Sequence, residues 1–157
     1  MTNEMKQVFT RRLSQCNRAE MIVITYDIFF EYLKNAREML EDNRMEEFKE
    51  DIRKCQKTIG RLEETLNYKY DLSKQLEKLY AYVKIKLSQA MYSRKIENLD
   101  ECKKVMIPLY NAFGQVAKQD TSNPIMTNTQ RIYAGMTYGR GILNENCIEN
   151  TSRGFLV

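Results

Sequence analysis

The side chains that carry out most enzymatic chemistry are missing or scattered in this chain. Histidine is absent altogether. That removes the His-based nucleophile relays and the Glu-x-x-His pairs that hold di-iron centres in helical bundles. Cys16, Cys55, Cys102 and Cys147 lie far apart, with no C-x-x-C pair. Structural zinc needs about four Cys or His ligands brought together, so no such site is expected. There is no phosphate-cradling G-x-x-x-x-G-K-S/T loop, and Gly135, Gly139 and Gly141 follow no predicted strand. Carboxylates are numerous, but they fall on helix faces where pairing with Lys or Arg is their ordinary use. The chain is therefore read as non-enzymatic, with no catalytic residue, metal or cofactor.

What the chain does have is apolar and aromatic surface. It holds ten tyrosines and nine methionines but no tryptophan. Exposed tyrosines can stack on bases, yet Tyr26, Tyr32, Tyr80, Tyr82 and Tyr110 fall on or beside helical stripes. Packing in a core or an interface is the better reading of them. Methionine fills core gaps and also suits surfaces that adapt to apolar partners. The net charge of +4 is spread without a block of like charge, so neither nucleic acid nor an anionic membrane is implied. No uninterrupted apolar run of about 18 residues is present to span a bilayer, and no signal-peptide pattern is seen. Free cysteines on apolar stripes fit a reducing cytoplasm.

These residues are positioned by helices. A short arm, residues 4–14, puts Met5, Val8 and Phe9 on one side. Asn17 with Glu20 then reads as a capping box, opening a first long helix that runs to about Asp42. Ile22, Tyr26, Phe29, Leu33, Ala36 and Leu40 draw one stripe down it, and Met21, Ile24, Ile28, Tyr32 and Met39 draw a second. That is more apolar surface than one helix face holds, so the second stripe is either core or a place for another chain. The next helix, about 44–66, carries Phe48, Ile52, Cys55, Ile59, Leu62 and Leu66 as a regular seam. Asp71 is the expected cap of a third, with Leu72, Leu76, Leu79, Val83, Leu87 and Ala90 inward and Tyr80, Tyr82 and Ile85 flanking. Asn98 with Glu101 offers a capping box for a fourth, striped by Leu99, Cys102, Met106, Leu109, Phe113 and Val116. Pro108, lacking an N–H, should kink that helix or start a new turn.

Four amphipathic helices on short connections predict an all-α fold, an antiparallel up-and-down four-helix bundle. A three-helix bundle with the first helix packed differently is the competitor. The bundle domain is expected over 1–118, with the arm in 1–16, followed by a linker and a C-terminal extension over 119–157. Four of the six glycines lie in that extension. It also carries Ile132, Tyr133, Met136, Tyr138 and a Phe155-Leu156-Val157 terminus, enough apolar surface to dock on the bundle or on a second copy of it. Such a segment would compete with any other chain that uses the same surface, its effective concentration set by the linker.

In these residues the chain resembles the FliS family of flagellar secretion chaperones. The family's first helix reads roughly EELILMLYDGALRFL, and Ala19 to Leu33 reads AEMIVITYDIFFEYL. Leu62, Thr65, Leu66 and Asn67, then Leu72, Leu76, Leu79, Tyr80, Tyr82, Val83, Leu87 and Ala90, keep the register of the family's next two segments. Leu109 and Phe113 take the places of its L-x-x-x-W. The resemblance covers about 17–118. It departs from the pattern at Ile28-Phe29, where the family has a small Gly-Ala pair, at Asn67 for aspartate, at Phe113 for tryptophan, and in an arm without tyrosines.

The resemblance implies a cytoplasmic chaperone that binds the C-terminal segment of flagellin and keeps it from polymerising before secretion. Other export components are further partners it implies. An amphipathic client helix would lie in a groove of the bundle. Met21, Ile24, Ile28 and Tyr32 on the first helix, with Tyr82 and Ile85 on the third, are the candidate partner-binding residues. The other readings are an adaptor or scaffold that self-associates or binds an unrelated helix, and, third, a nucleic-acid binder.

Overall fold

In a computed structural model of the chain the described residues are 2–126. The extension expected to dock, and Cys147 with it, lie outside them. Among the described residues there are five helices: α1 Asn3–Gln15, α2 Arg18–Glu41, α3 Met45–Glu64, α4 Asp71–Ser93 and α5 Ile96–Gln119. The fold is an all-α bundle. α2 packs on α3 and on α5, α3 packs on α4, and α4 packs on α5, which closes a ring, while α1 lies against α2.

Local chemistry accounts for the start of α2. Asn17 Oδ1 accepts the Glu20 N–H at 2.8 Å, and Glu20 Oε2 accepts the Asn17 N–H at 2.9 Å. Two donors at this helix end are thereby met. The arm is a full helix in its own right, capped by Thr2, whose Oγ1 accepts the Met5 N–H at 3.3 Å.

The other two expected caps are corrected. Tyr70, not Asp71, is the N-cap of α4, and no side chain caps that end. Asp71 is instead the first helical residue, where its carboxylate still complements the helix dipole and meets Lys74 at 3.1 Å. Ser73 Oγ donates to the Asn67 carbonyl at 2.6 Å and ties down the preceding loop. α5 begins at Ile96, two residues ahead of the expected box. Asn98 therefore lies inside its first turn and donates to Ser93 Oγ at 3.0 Å, while Glu101 pairs with Lys86. An Asn-x-x-Glu string inside a helix looks the same in sequence as one at its start. α5 continues through Pro108 to Gln119, forgoing one amide donor.

The core follows the stripes, with one change of phase. Tyr26, Phe29, Leu33 and Ala36 of α2 meet Phe48, Ile52, Cys55, Ile59 and Leu62 of α3 and Leu99, Cys102 and Met106 of α5. On α4 the buried line is Ser73, Leu76, Tyr80, Val83, Leu87 and Ala90. Leu72 and Leu79, read as inward, are 62% and 38% exposed. Tyr80, read as flanking, is fully buried, and its hydroxyl meets that of Tyr26 across the core at 2.7 Å. Each large side chain buried in this way stabilises the fold by about 1.5–3 kcal/mol. Cys16, Cys55 and Cys102 are free and buried.

Candidate partner-binding trough

The outer stripe of α2 is not bare. Phe9 and Cys16 pack against Ile24, and Met5, Leu13, Met21 and Ile28 complete a second apolar cluster beside the main core. α1 thus lies lengthwise in a trough on α2 with its own apolar line, Met5, Phe9 and Leu13, spaced four apart as a helix face requires. Phe9 is 6% exposed and Ile24 only 4%. Beside them Val8 points away and is half exposed.

The trough is wider than α1. Toward α5 a groove of about 660 Å³ runs past Val8, Phe30, Leu99, Ile107 and Tyr110. Its rims are ion pairs, Arg12 with Asp27 and Arg37 with Asp100, each at 2.7 Å. These are partly exposed and contribute less than about 1 kcal/mol apiece, so they define the edges of the groove more than they stabilise it. The Asp27 carboxylate beside it raises the Tyr110 phenol above its ordinary value, with burial adding to the effect. Toward α3 a smaller cleft of about 420 Å³ holds Ile28 and Tyr32 among Lys6, Lys54, Lys57 and Arg61. The Lys54 ammonium sits 5.6 Å from the Tyr32 ring centre, and burial pushes that phenol up. At the elbow between α1 and α2 a third hollow, of about 820 Å³, is lined by Arg12, Cys16, Glu20, Ile24, Tyr110 and Lys118 among others.

The candidate residues therefore fall into two places. Met21, Ile24 and Ile28 line the trough beneath α1, and Tyr32 borders its α3 side. Tyr82 and Ile85 lie on α4, which packs on α3 and α5 and meets α2 only across the core. Tyr82 is 40% exposed, donates its hydroxyl to Glu101 at 3.1 Å and lies under the Lys86 ammonium. Ile85 is more exposed still and edges a shallow hollow with Tyr92. The residues not counted as part of the site are those of α1: the sequence put Met5, Val8 and Phe9 on one side of the arm, whereas Val8 is half exposed and Leu13 joins Met5 and Phe9. Their four-residue spacing was a signal for an amphipathic helix, but nothing in it named α2 as the face they cover.

The described residues thus form a helical bundle with a short amphipathic helix seated in an apolar trough on α2. The family model of the flagellar protein FliS matches residues 1–120, and the chain belongs to that family. Membership implies a flagellar chaperone role, and the match takes in the N-terminal helix as well as the 17–118 region that carries the resemblance. Among curated proteins no sequence matches the chain. No helix of the described residues is long and apolar enough to cross a membrane.

Proposed function

We propose that this chain is a cytoplasmic export chaperone that binds the C-terminal segment of flagellin and keeps it unpolymerised until secretion. The observation that carries this reading is the seating of α1. The α2 trough already holds an amphipathic helix, with room left on both of its flanks. A client helix with apolar residues at i, i+3, i+4 and i+7 meets the same stripe, Met21, Ile24 and Ile28, by the same contacts. α1 spans only 13 residues, and isolated helices shorter than about 12–15 residues are marginal in water. Docking is therefore what keeps α1 ordered, and a longer client segment can take its place. Tyr82, Ile85 and the exposed Leu79 of α4 offer a second apolar row for a client that wraps the bundle. The connections between α2 and α5 are short, which supports an up-and-down antiparallel course for the four long helices.

A self-associating scaffold is less well supported. The centre of the stripe it would need, Ile24, is covered by α1, so a second copy would first have to displace that helix. Calorimetric titration of the full chain with the C-terminal segment of flagellin tests the proposal. Saturable binding at micromolar concentration or tighter is expected, and no heat at that concentration sinks it.

A further inference from the structure

We propose that residues 120–125 form a latch that holds α1 on α2 by pinning the elbow between them. This rests on the reading of α1 as the cover of the trough and adds a control on its removal.

After α5 the chain turns back over the α1–α2 elbow. The Ile125 N–H donates to the Cys16 carbonyl at 3.0 Å, and Asn17 Nδ2 donates to the Asp120 carbonyl at 3.1 Å. Two points more than 100 residues apart in sequence are joined at both residues of the elbow. The strap is itself shaped locally, since the Ser122 N–H closes on the Asp120 carboxylate at 3.0 Å. Cys16 and Asn17 are 4% and 5% exposed, so the elbow side of these bonds is shielded from water, while Ile125 on the strap is 52% exposed.

Asn17 is the more telling member. Its N–H and its Oδ1 are both engaged by Glu20 in the capping box, and its remaining amide hydrogens face the strap. A side chain that only capped α2 would leave that Nδ2 to solvent. With the Cys16–Asn17 peptide held from both sides, α1 can leave α2 only by rotation at Cys16. Once it is freed, rotation at Asn17 and fraying of the first turn of α2 also become available. The latch therefore reduces the conformational freedom of the released arm and keeps α1 close to its trough.

Hydrogen–deuterium exchange on the full chain tests this. Ile125→Pro removes the amide donor at that position. Asn17→Asp keeps the capping oxygen and removes the amide donor. In each variant exchange across residues 5–15 should rise by about 2- to 12-fold, the worth of one hydrogen bond, while residues 76–90 of α4 stay as protected as before. Unchanged exchange in α1 in both variants overturns the latch. An equal rise in α4 overturns it too, because the strap would then be bracing the whole bundle. Faster exchange in α1 with tighter binding of the flagellin segment supports the latch and the cover together. Faster exchange with unchanged affinity supports the latch and removes α1 from client competition.

Discussion

Replacing Phe9 with alanine isolates the contest between α1 and a client. Phe9 is the one residue of α1 that is buried, 6% exposed against Ile24 and its neighbours, and it borders the grooves on both flanks of the helix. In a well-packed core a Phe→Ala change costs about 3–5 kcal/mol. α1 packs on a single helix face, so a docking loss of about 2–3 kcal/mol is the better figure for this shallower cluster. The apparent dissociation constant of a client equals its intrinsic value divided by the open fraction. Weakening the cover by that amount should then tighten flagellin binding by about 30- to 150-fold, at about 1.4 kcal/mol per factor of ten. The gain stops once α1 is mostly undocked. Val8→Ala is the control: Val8 is half exposed, and its loss should shift affinity by less than about threefold. Calorimetry with the flagellin segment reads both variants, and circular dichroism checks that the bundle stays folded. If Phe9→Ala leaves affinity unchanged or weakens it while the melt of the bundle is intact, α1 does not compete for the trough.

Two further predictions concern the core. Tyr26→Phe and Tyr80→Phe should each cost about 1–3 kcal/mol, because each leaves a buried hydroxyl without its partner. The double variant should cost clearly less than the sum in urea melts, and strict additivity would show that the hydroxyls do not depend on each other. Stability should hold from neutral pH to about pH 9 and fall above it. Burial pushes the Cys102 thiol up to about 12 and the Cys55 thiol well above the ordinary 9.0, and it raises the Tyr26 phenol as well. These groups keep their protons in the folded state while the unfolded chain releases them. Their contribution is complete below the unfolded values and is lost as pH rises toward the folded ones. A urea midpoint that is flat or rising between about pH 9 and 11 would contradict that linkage.

The main α2 stripe could be read in the sequence because Tyr26, Phe29, Leu33 and Ala36 repeat at helical spacing, although Met21, Ile24 and Ile28 draw a second apolar line on the same helix. The Asn17–Glu20 box was legible for a similar reason, since it stands directly ahead of that stripe. On α4 the phase was misread. Leu72 and Leu79 are as apolar as Leu76, and only the positions of α3 and α5 decide that Tyr80 turns inward and the two leucines outward. The trough was half legible: Met21, Ile24 and Ile28 were visible as surplus, but whether a partner or the chain's own arm covers them is a tertiary question. The strap could not be read at all. Its bonds run from the Ile125 amide to the Cys16 carbonyl and from Asn17 to the Asp120 carbonyl, and a backbone acceptor leaves no mark on residue type.

The same physics sets how strongly a cover of this kind should hold. A bare Met21–Ile24–Ile28 stripe with Phe30 and Tyr110 beside it would present a contiguous apolar patch, and such patches drive association with whatever is nearby. A cover that bound as tightly as a core helix would remove that hazard and exclude the client with it. α1 lies between these limits. It is short and buries one aromatic side chain, and its charged contact to α2, Arg12 with Asp27, is solvent-exposed on the arginine side and weak. What it lacks in contact area is offset in part by tethering, because a helix joined directly to its binding surface re-docks at high effective concentration. The strap adds to that side of the balance without adding apolar area. In the proposed reading, residence of α1 is adjusted at the elbow by hydrogen bonds, while the trough keeps apolar space on both flanks of the helix it holds.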